Sequence, residues 1–340
     1  MLGCIVTEWN KYLDKFSSIQ KDIYYKEEYV KLYETEIDKA FCFVYEKDEF
    51  VMLMPFLRRE IDGFYDFETP YGYGGPIFND DCKISIENAL TSMCEYFRAH
   101  RYIAGFVRFH PLLRNACKSR DVIPVIDDRQ TIVMNTSLSV DELWQIDIST
   151  KNRSTIRKAQ KAGLIFEVDQ QFKYLRNFIE LYNKTMQRLS ADEFYYFPDE
   201  YYKKFVALLA DNSFLGVVKY NDEVIAAAIF MYSSYYGHYH LSGSDKQFQN
   251  LCPNNLLLFE AAKELKKRGS EKFHLGGGSD SNPTNSLLEF KSRFGREHCQ
   301  FSIGKLIFNE EAYREICHSW ELKNPEKVEL YKYFLLKYRY

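Results

Sequence analysis

The chain has 340 residues, room for about two domains. Its formal net charge of -3 excludes a chain-wide basic field for nucleic acid, and a hydrophobic content of 46% is enough for a large core. Eight scattered cysteines, with no CxxC and no Cys/His spacing of a zinc site, exclude a metal framework and read as reduced and mostly buried.

The opening stretch, MLGCIVTEWNKYLDKF, lacks the basic start and apolar run of a signal peptide, and no apolar run reaches the ~20 residues of a membrane helix. A cytoplasmic location is expected, with peripheral membrane contact left open. Residues 41–57 read as two strands around a polar turn at Glu46–Glu49. An amphipathic helix over 84–100 and a strand over 102–110 follow. A basic helix spans 151–163 and ends at Gly163, and a longer helix spans 171–189. The pattern then returns: strand, Asn-Asp-Glu turn and strand over 214–232, a third strand over 235–243, a helix over 253–269, and a short strand, KFHL, at 272–275. The helix over 253–269 has Pro near its start and Gly at its end, as helix termini prefer. An offset of 174 lays Asp48-Glu49 on Asp222-Glu223. The spacing predicts two related α/β halves of mixed sheets covered by helices, joined near 137–150. The expected domains are 1–140 and 141–340.

Five stretches could carry chemistry. ETPYGYGGPIF (68–78) is a Gly/Pro loop presenting Tyr71 and Tyr73, without the spacing of a dinucleotide fingerprint. It reads equally as a surface turn. FVRFHPLLRN (106–115) places His110 at a strand end, where ligands of α/β sheets sit. Histidine suits proton transfer near neutral pH, although a lone one more often just closes a strand. In STKNRSTIRKAQKAG (149–163), Lys151, Arg153, Arg157, Lys158 and Lys161 have no acid among them, and Arg153 and Arg157 share a helix face. That patch suits a phosphate group or an RNA backbone, or is a solvated face. In HYHLSGSDKQFQNLCPNN (238–255), the helix start at Asn254 and Asn255 is an anion site by its free N–H groups. His238 and His240, at i and i+2, share a strand face. They lack a third ligand, so no metal is expected. Finally, HLGGGSDSNPTNSLLEFKSRFG (274–295) lacks the spacing of a Walker loop. Its glycines read as a corner that aims a short helix carrying Lys291.

Together PYGYGGP, KNRSTIRKAQKAG, the strands around NDE and LGGGSDSNPTNSLLEFKSRFG resemble the Fem-type, FemAB-like branch of the GNAT acyltransferase superfamily, over about residues 40–305. The resemblance implies an α/β fold of two tandem GNAT-like domains that transfers an activated acyl group to an amine. It implies Lys291 at the reaction centre, stabilising developing negative charge, and Arg153 on the acceptor's phosphates. Two departures stand out. Cross-bridge enzymes carry Asp-Pro where this chain has His110-Pro111, and many insert a charged helical hairpin that residues 164–213 lack.

The expected activity is N-acyl transfer from acyl-CoA, such as acetyl-CoA, to an amine of a nucleotide- or lipid-linked amino sugar used for envelope or capsular polysaccharide. His110 would act as base and Lys291 as oxyanion stabiliser. Tyr71, Tyr73, Lys151, Arg153, Arg157 and Tyr239 would hold substrate, and Asn254 and Asn255 would hold the cofactor. The alternatives are transfer from charged tRNA to a peptidoglycan precursor, and a non-catalytic binding protein of the same fold.

Overall fold

The structure, a computed structural model, describes residues 3–280, 282 and 284–340. Ser281 and Pro283 of the polar stretch after the glycines, and Met1 and Leu2, lie outside the described residues. The chain divides into two compact units: residues 1–128 with 301–340, and residues 129–300.

The first unit runs β1 (Cys4–Val6), α1 (Asn10–Leu13), α2 (Glu27–Leu32), β2 (Lys39–Lys47), β3 (Phe50–Ile61), β4 (Phe64–Glu68), β5 (Ile77–Phe78), α3 (Lys83–Ala99), β6 (Tyr102–Arg108) and α4 (Asn115–Ser119). Strand alternation puts Phe41, Phe43 and Tyr45 on one sheet face, and Phe56 joins them from β3. Phe97 of α3 lands on that face, with its ring 4.8 Å from Phe67 and 5.6 Å from Phe56. This aromatic core is the first unit's main source of burial.

The second unit runs β7 (Val125–Asn135), α5 (Val140–Glu142), α6 (Thr150–Lys161), β8 (Ile165–Asp169), α7 (Leu175–Arg188), α8 (Asp199–Leu209), β9 (Ser213–Tyr220), β10 (Glu223–Tyr232), β11 (Tyr236–Ser244), α9 (Pro253–Lys267), β12 (Lys272–Gly277) and α10 (Ser286–Ser292). Its strands lie in the order β7-β12-β11-β10-β9-β8. Leu256, Leu257, Ala261 and Leu265 of α9 pack into its core with Phe214, Phe230 and Phe273.

The halves share a topology. In each, a hairpin and a third antiparallel strand lead through a helix to a strand parallel to the third: β2-β3-β4-α3-β6 and β9-β10-β11-α9-β12. The hairpin turns are Asp48–Glu49 and Asn221–Asp222, so the structural correspondence is one residue off the sequence offset. Both Asn221 and Asp222 have positive φ, the geometry of a tight primed turn.

Two expectations change. The break near 140 misses the return of the chain: β13 (Glu297–Ile307), α11 (Glu310–Lys323) and α12 (Val328–Tyr331) follow α10, and 301–340 belong to the first unit. Trp320, Leu335, Leu336 and Tyr338 pack there on Ile103 and Ala104 of β6. Their apolar surface needs a sheet face, and β13 delivers it by pairing with β6. The cysteines are also less hidden than expected. Cys42, Cys94 and Cys317 are buried, but Cys82, just before α3, and Cys117, within α4, are exposed. No helix of the described residues is long and apolar enough to cross a membrane.

Arg339 fastens the returning segment. Its guanidinium pairs with Asp66 at 2.5 Å and Glu68 at 2.7 Å, and reaches Asp38 at 3.4 Å. Burial lifts the Asp66 carboxyl above its ordinary range against the pull of Arg339. Burial would also lift Glu68, but Arg108 and Arg339 together hold it low. Arg339→Ala strands the fully buried Asp66 carboxylate. We expect urea unfolding to show a loss of ~3–5 kcal/mol. Leu330→Ala, on an exposed residue of the same segment, should stay within ~0.5 kcal/mol of wild type.

Candidate active site

The site in the second unit starts from a failure of pairing. β11 and β12 run parallel through three partners, Tyr236–Lys272, Gly237–Phe273 and His238–His274, and no further. A bulge follows at once in each strand. His240 is the extra residue of β11 against β10, and Leu275 is the extra residue of β12 against β7. Bulges bend a strand and add twist, so the two strands part. The bulge at His240 also interrupts the alternation that would place His238 and His240 on one face.

Lys291 touches both sides of the parting. Its Nζ donates to the Gly277 carbonyl of β12 at 2.7 Å and lies 5.9 Å from the centre of the Tyr239 ring of β11. The side chain is buried, with no carboxylate in salt-bridge range among the described residues. Burial alone lowers its pKa from 10.5 to about 7, so amine and ammonium coexist near neutrality. Burial raises the Tyr239 hydroxyl to about 12, against a hydrogen bond from Ser242, and so keeps it neutral.

The glycines aim this lysine. Gly276 adopts φ +74°, the left-handed region, and a Cβ on Gly278 would meet the Asn285 side chain at 2.7 Å. Asn285 in turn caps α10, accepting from the N–H groups of Leu287 and Leu288 at 3.0 and 3.1 Å. Phe294, fully buried, and Phe290 seat the helix on the core.

Asn152 escapes the sequence reading. It occupies the buried phase of α6 with Ile156 and Ala159. Its Nδ2 donates to the Arg293 carbonyl at 3.3 Å and its Oδ1 accepts from Asn255 Nδ2 at 2.6 Å, so it joins α6, α9 and α10. An asparagine at the apolar positions of a basic helix was the available signal.

The basic helix itself is less free than it reads. Arg153 donates to the carbonyls of Trp144, Gln145 and Ile148, closing the turn Leu143–Asp147 before it. The Arg157 guanidinium lies 5.2 Å from the Trp144 ring. All three Arg153 bonds run from Nη1, and Nη2 donates to the Thr150 hydroxyl at 2.9 Å. Lys151, Lys158 and Lys161 remain exposed.

At the start of α9, Cys252 has left-handed backbone and no side chain caps the helix; Pro253 has no N–H to offer, and the Asn255 N–H bonds the Cys252 carbonyl at 3.2 Å. The side chains of Asn254 and Asn255 face inward, to Ser244 Oγ at 3.1 Å and to Asn152. Main chain, rather than these amides, would meet a phosphate. His240 accepts from the Tyr201 hydroxyl at 3.1 Å or donates to it. Burial, then the charge of His238, drops its pKa to about 3, which rules it out as a base near neutrality.

His110, in the first unit, is wholly buried. Its Nε2 meets Asp22 at 2.8 Å and its Nδ1 accepts from the Leu113 N–H at 3.3 Å. Both ring nitrogens are therefore engaged, with Nε2–H donating to the carboxylate. The geometry is that of a clamp closing β6 and does not present a free base. Around it stand Tyr24, Tyr25 and Tyr73, with ring centres at 5.6, 6.2 and 5.6 Å. Tyr71 and Tyr73 are half-buried, and the Tyr71 carbonyl accepts from the Tyr29 hydroxyl at 2.6 Å. The sequence reading missed Asp22 and the tyrosines of 24–33, although DIYYKEEYVKLY announces them by density.

The second unit thus combines parted parallel strands, a helix start without a side-chain cap and a buried lysine at the opening. Residues 149–292 match a family model described as an acetyltransferase (GNAT) domain. A solved structure of FemX is similar over 93% of this chain and 100% of its own, at 16% identity and TM-score 0.71. A tandem GNAT protein from the clavulanic acid biosynthesis pathway is similar over 90% and 99%, at 8% identity and TM-score 0.51. L-PGS from Bacillus licheniformis is similar over 86% and 89%, at 12% identity and TM-score 0.52. No curated protein matches in sequence.

Burying Lys291 has a stability signature. Its folded pKa of about 7 lies below the ordinary 10.5, so the cost is complete below pH 7 and vanishes above 10.5. Lys291→Met should stabilise the protein at pH 6, by as much as ~5 kcal/mol. That advantage should shrink as pH rises from 7 to 10.5. Thermal unfolding of both proteins across pH checks the sign.

Proposed function

We propose that the protein is an N-acyltransferase in which the Lys291 ammonium stabilises the oxyanion formed when an amine attacks an activated carbonyl. One observation carries this reading: a buried amine without a counter-charge, held by the Gly277 carbonyl where β11 and β12 part. A charge developing in that dry opening would be worth far more to the ammonium than the same charge in water. The hydrogen bond to Gly277 uses one of the three Nζ protons and leaves two to donate.

The donor in this reading is an acyl-CoA, with its pyrophosphate on the first-turn N–H groups of α9. The match of 149–292 to an acetyltransferase domain supports it. The acceptor is an amine on a nucleotide- or lipid-linked sugar, positioned by Tyr239 beside Lys291. A second reading, transfer of an aminoacyl group from charged tRNA, is favoured by the likeness to FemX over nearly the whole chain. In either case the acceptor must lose a proton. With His110 clamped and His240 of low basicity, water would take it.

The test is a transfer assay with labelled acetyl-CoA and, separately, aminoacyl-tRNA, against a panel of amino-sugar nucleotides and lipid-linked amino sugars. Transfer from acetyl-CoA is expected, whereas label moving only from tRNA selects the second reading. Lys291→Ala should lower kcat by about 10²–10³ with KM little changed. The wild-type kcat should fall as pH rises through about 7, where the ammonium is lost. A rise over that range would make the lysine a base instead.

A further inference from the structure

The first unit contains a cleft of about 520 Å³ that the acyl-transfer reading does not use. It lies on the sheet face covered by α3, just past that helix's last turn at Ala99. Phe41, Arg58, Tyr65 and Tyr102 floor it from β2, β3, β4 and β6, while Tyr96, His100 and Arg101 stand at its rim. No carboxylate lines it.

The arginines are its chemical signature. Elsewhere in this unit, buried or half-buried arginines face acids: Arg59 pairs with Asp38, Arg108 with Glu68, and Arg339 with three carboxylates. Arg58 is half-buried and has no carboxylate partner among the described residues. Its guanidinium instead lies against two rings, 3.9 Å from the centre of Phe41 and 4.6 Å from that of Tyr65. Such stacking fixes the plane of the fork and leaves its N–H edge for a bidentate anion. Beside it, the buried Tyr102 hydroxyl lies near the Arg58 guanidinium, whose pull opposes the rise that burial gives the hydroxyl's pKa, and it reaches no hydrogen bond at full bonding geometry among the described residues. Arg101 adds a second cation from a left-handed turn residue. His100 lies flat on Tyr96, with ring centres 3.8 Å apart and planes 13° apart, and its Nδ1 is tied to the Tyr96 carbonyl at 2.8 Å. An exposed ring is thus held rigid at the mouth.

We propose that this cleft binds a phosphate ester carrying a flat ring, of the nucleoside monophosphate kind. Arg58 and Arg101 take the phosphate, and the His100 ring stacks on the base. The volume falls in the range of small-molecule sites. The proposal does not rest on the acyl-transfer reading.

Isothermal titration of the full chain with AMP, UMP, adenosine and inorganic phosphate tests it. A nucleotide should bind, with the nucleoside and phosphate each at least about tenfold weaker. Arg58→Gln and Arg101→Gln should each weaken the nucleotide by about tenfold or more. Arg98→Gln, outside the cleft, and Lys291→Ala should bind as wild type does. Arg101 is exposed, so its variant reports on binding even if Arg58→Gln unfolds. The proposal is overturned if neither nucleotide binds at millimolar concentration. It is equally overturned if phosphate binds as tightly as nucleotide, or if Arg101→Gln binds undiminished.

Discussion

β11 and β12 stay paired for three residues and then separate, and the second unit is organised around that separation. Adjacent parallel strands would normally continue to exchange hydrogen bonds. Here each strand carries an extra residue at the point of parting, His240 in one and Leu275 in the other. The neighbouring strands, β10 and β7, keep their ladders, so the parting involves no loss of the sheet. The chain beyond Gly277 must then turn sharply to close the gap, which explains the left-handed Gly276 and the absence of a side chain at Gly278. α10 enters on the Asn285 cap and delivers Lys291 between the strand ends.

The two units treat buried charge in opposite ways. In the first, Arg339, Arg108 and Arg59 share Asp38, Asp66 and Glu68, and each charge is answered by another. Removing one partner there costs stability because the rest stays buried. In the second, Lys291 has a carbonyl and an aromatic ring but no acid among the described residues. Such a group destabilises the fold and is held by its surroundings. Sites of chemistry commonly show this pattern of poised, destabilised groups.

Much of the fold was legible. The hairpins, α3, α6, α7, α9 and the short helix with Lys291 all follow from apolar periodicity and from Gly and Pro at helix ends. Strand alternation says nothing of how long two strands remain partners, so the parting of β11 and β12 was not readable. Nor was the return of 301–340, because the sequence of α11 records an apolar face but not the sheet that receives it. The site was half legible. Lys291 stood out through the glycines before it, and the helix start at 253–255 through its Pro. For Arg153 and His110 the sequence leaves the partners open, because a residue type suited to chemistry is equally suited to bonding backbone carbonyls or a buried carboxylate. Asn152 and the tyrosines of 24–33 carry a signal of position and density but no chemical motif, and their partners emerge only from contacts.

The first unit is assembled from two stretches separated by 172 residues, with Arg339 closing it on Asp66 and Glu68. During synthesis its sheet cannot gain β13 or the Trp320 cluster until the second unit has been made. The second unit is continuous in sequence and meets no such delay. Ribosomal order therefore favours a protein in which the lysine-bearing unit folds while the first still exposes the face of β6, including Ile103 and Ala104. That exposed face is the stage at which the nascent chain would be most open to chaperone capture.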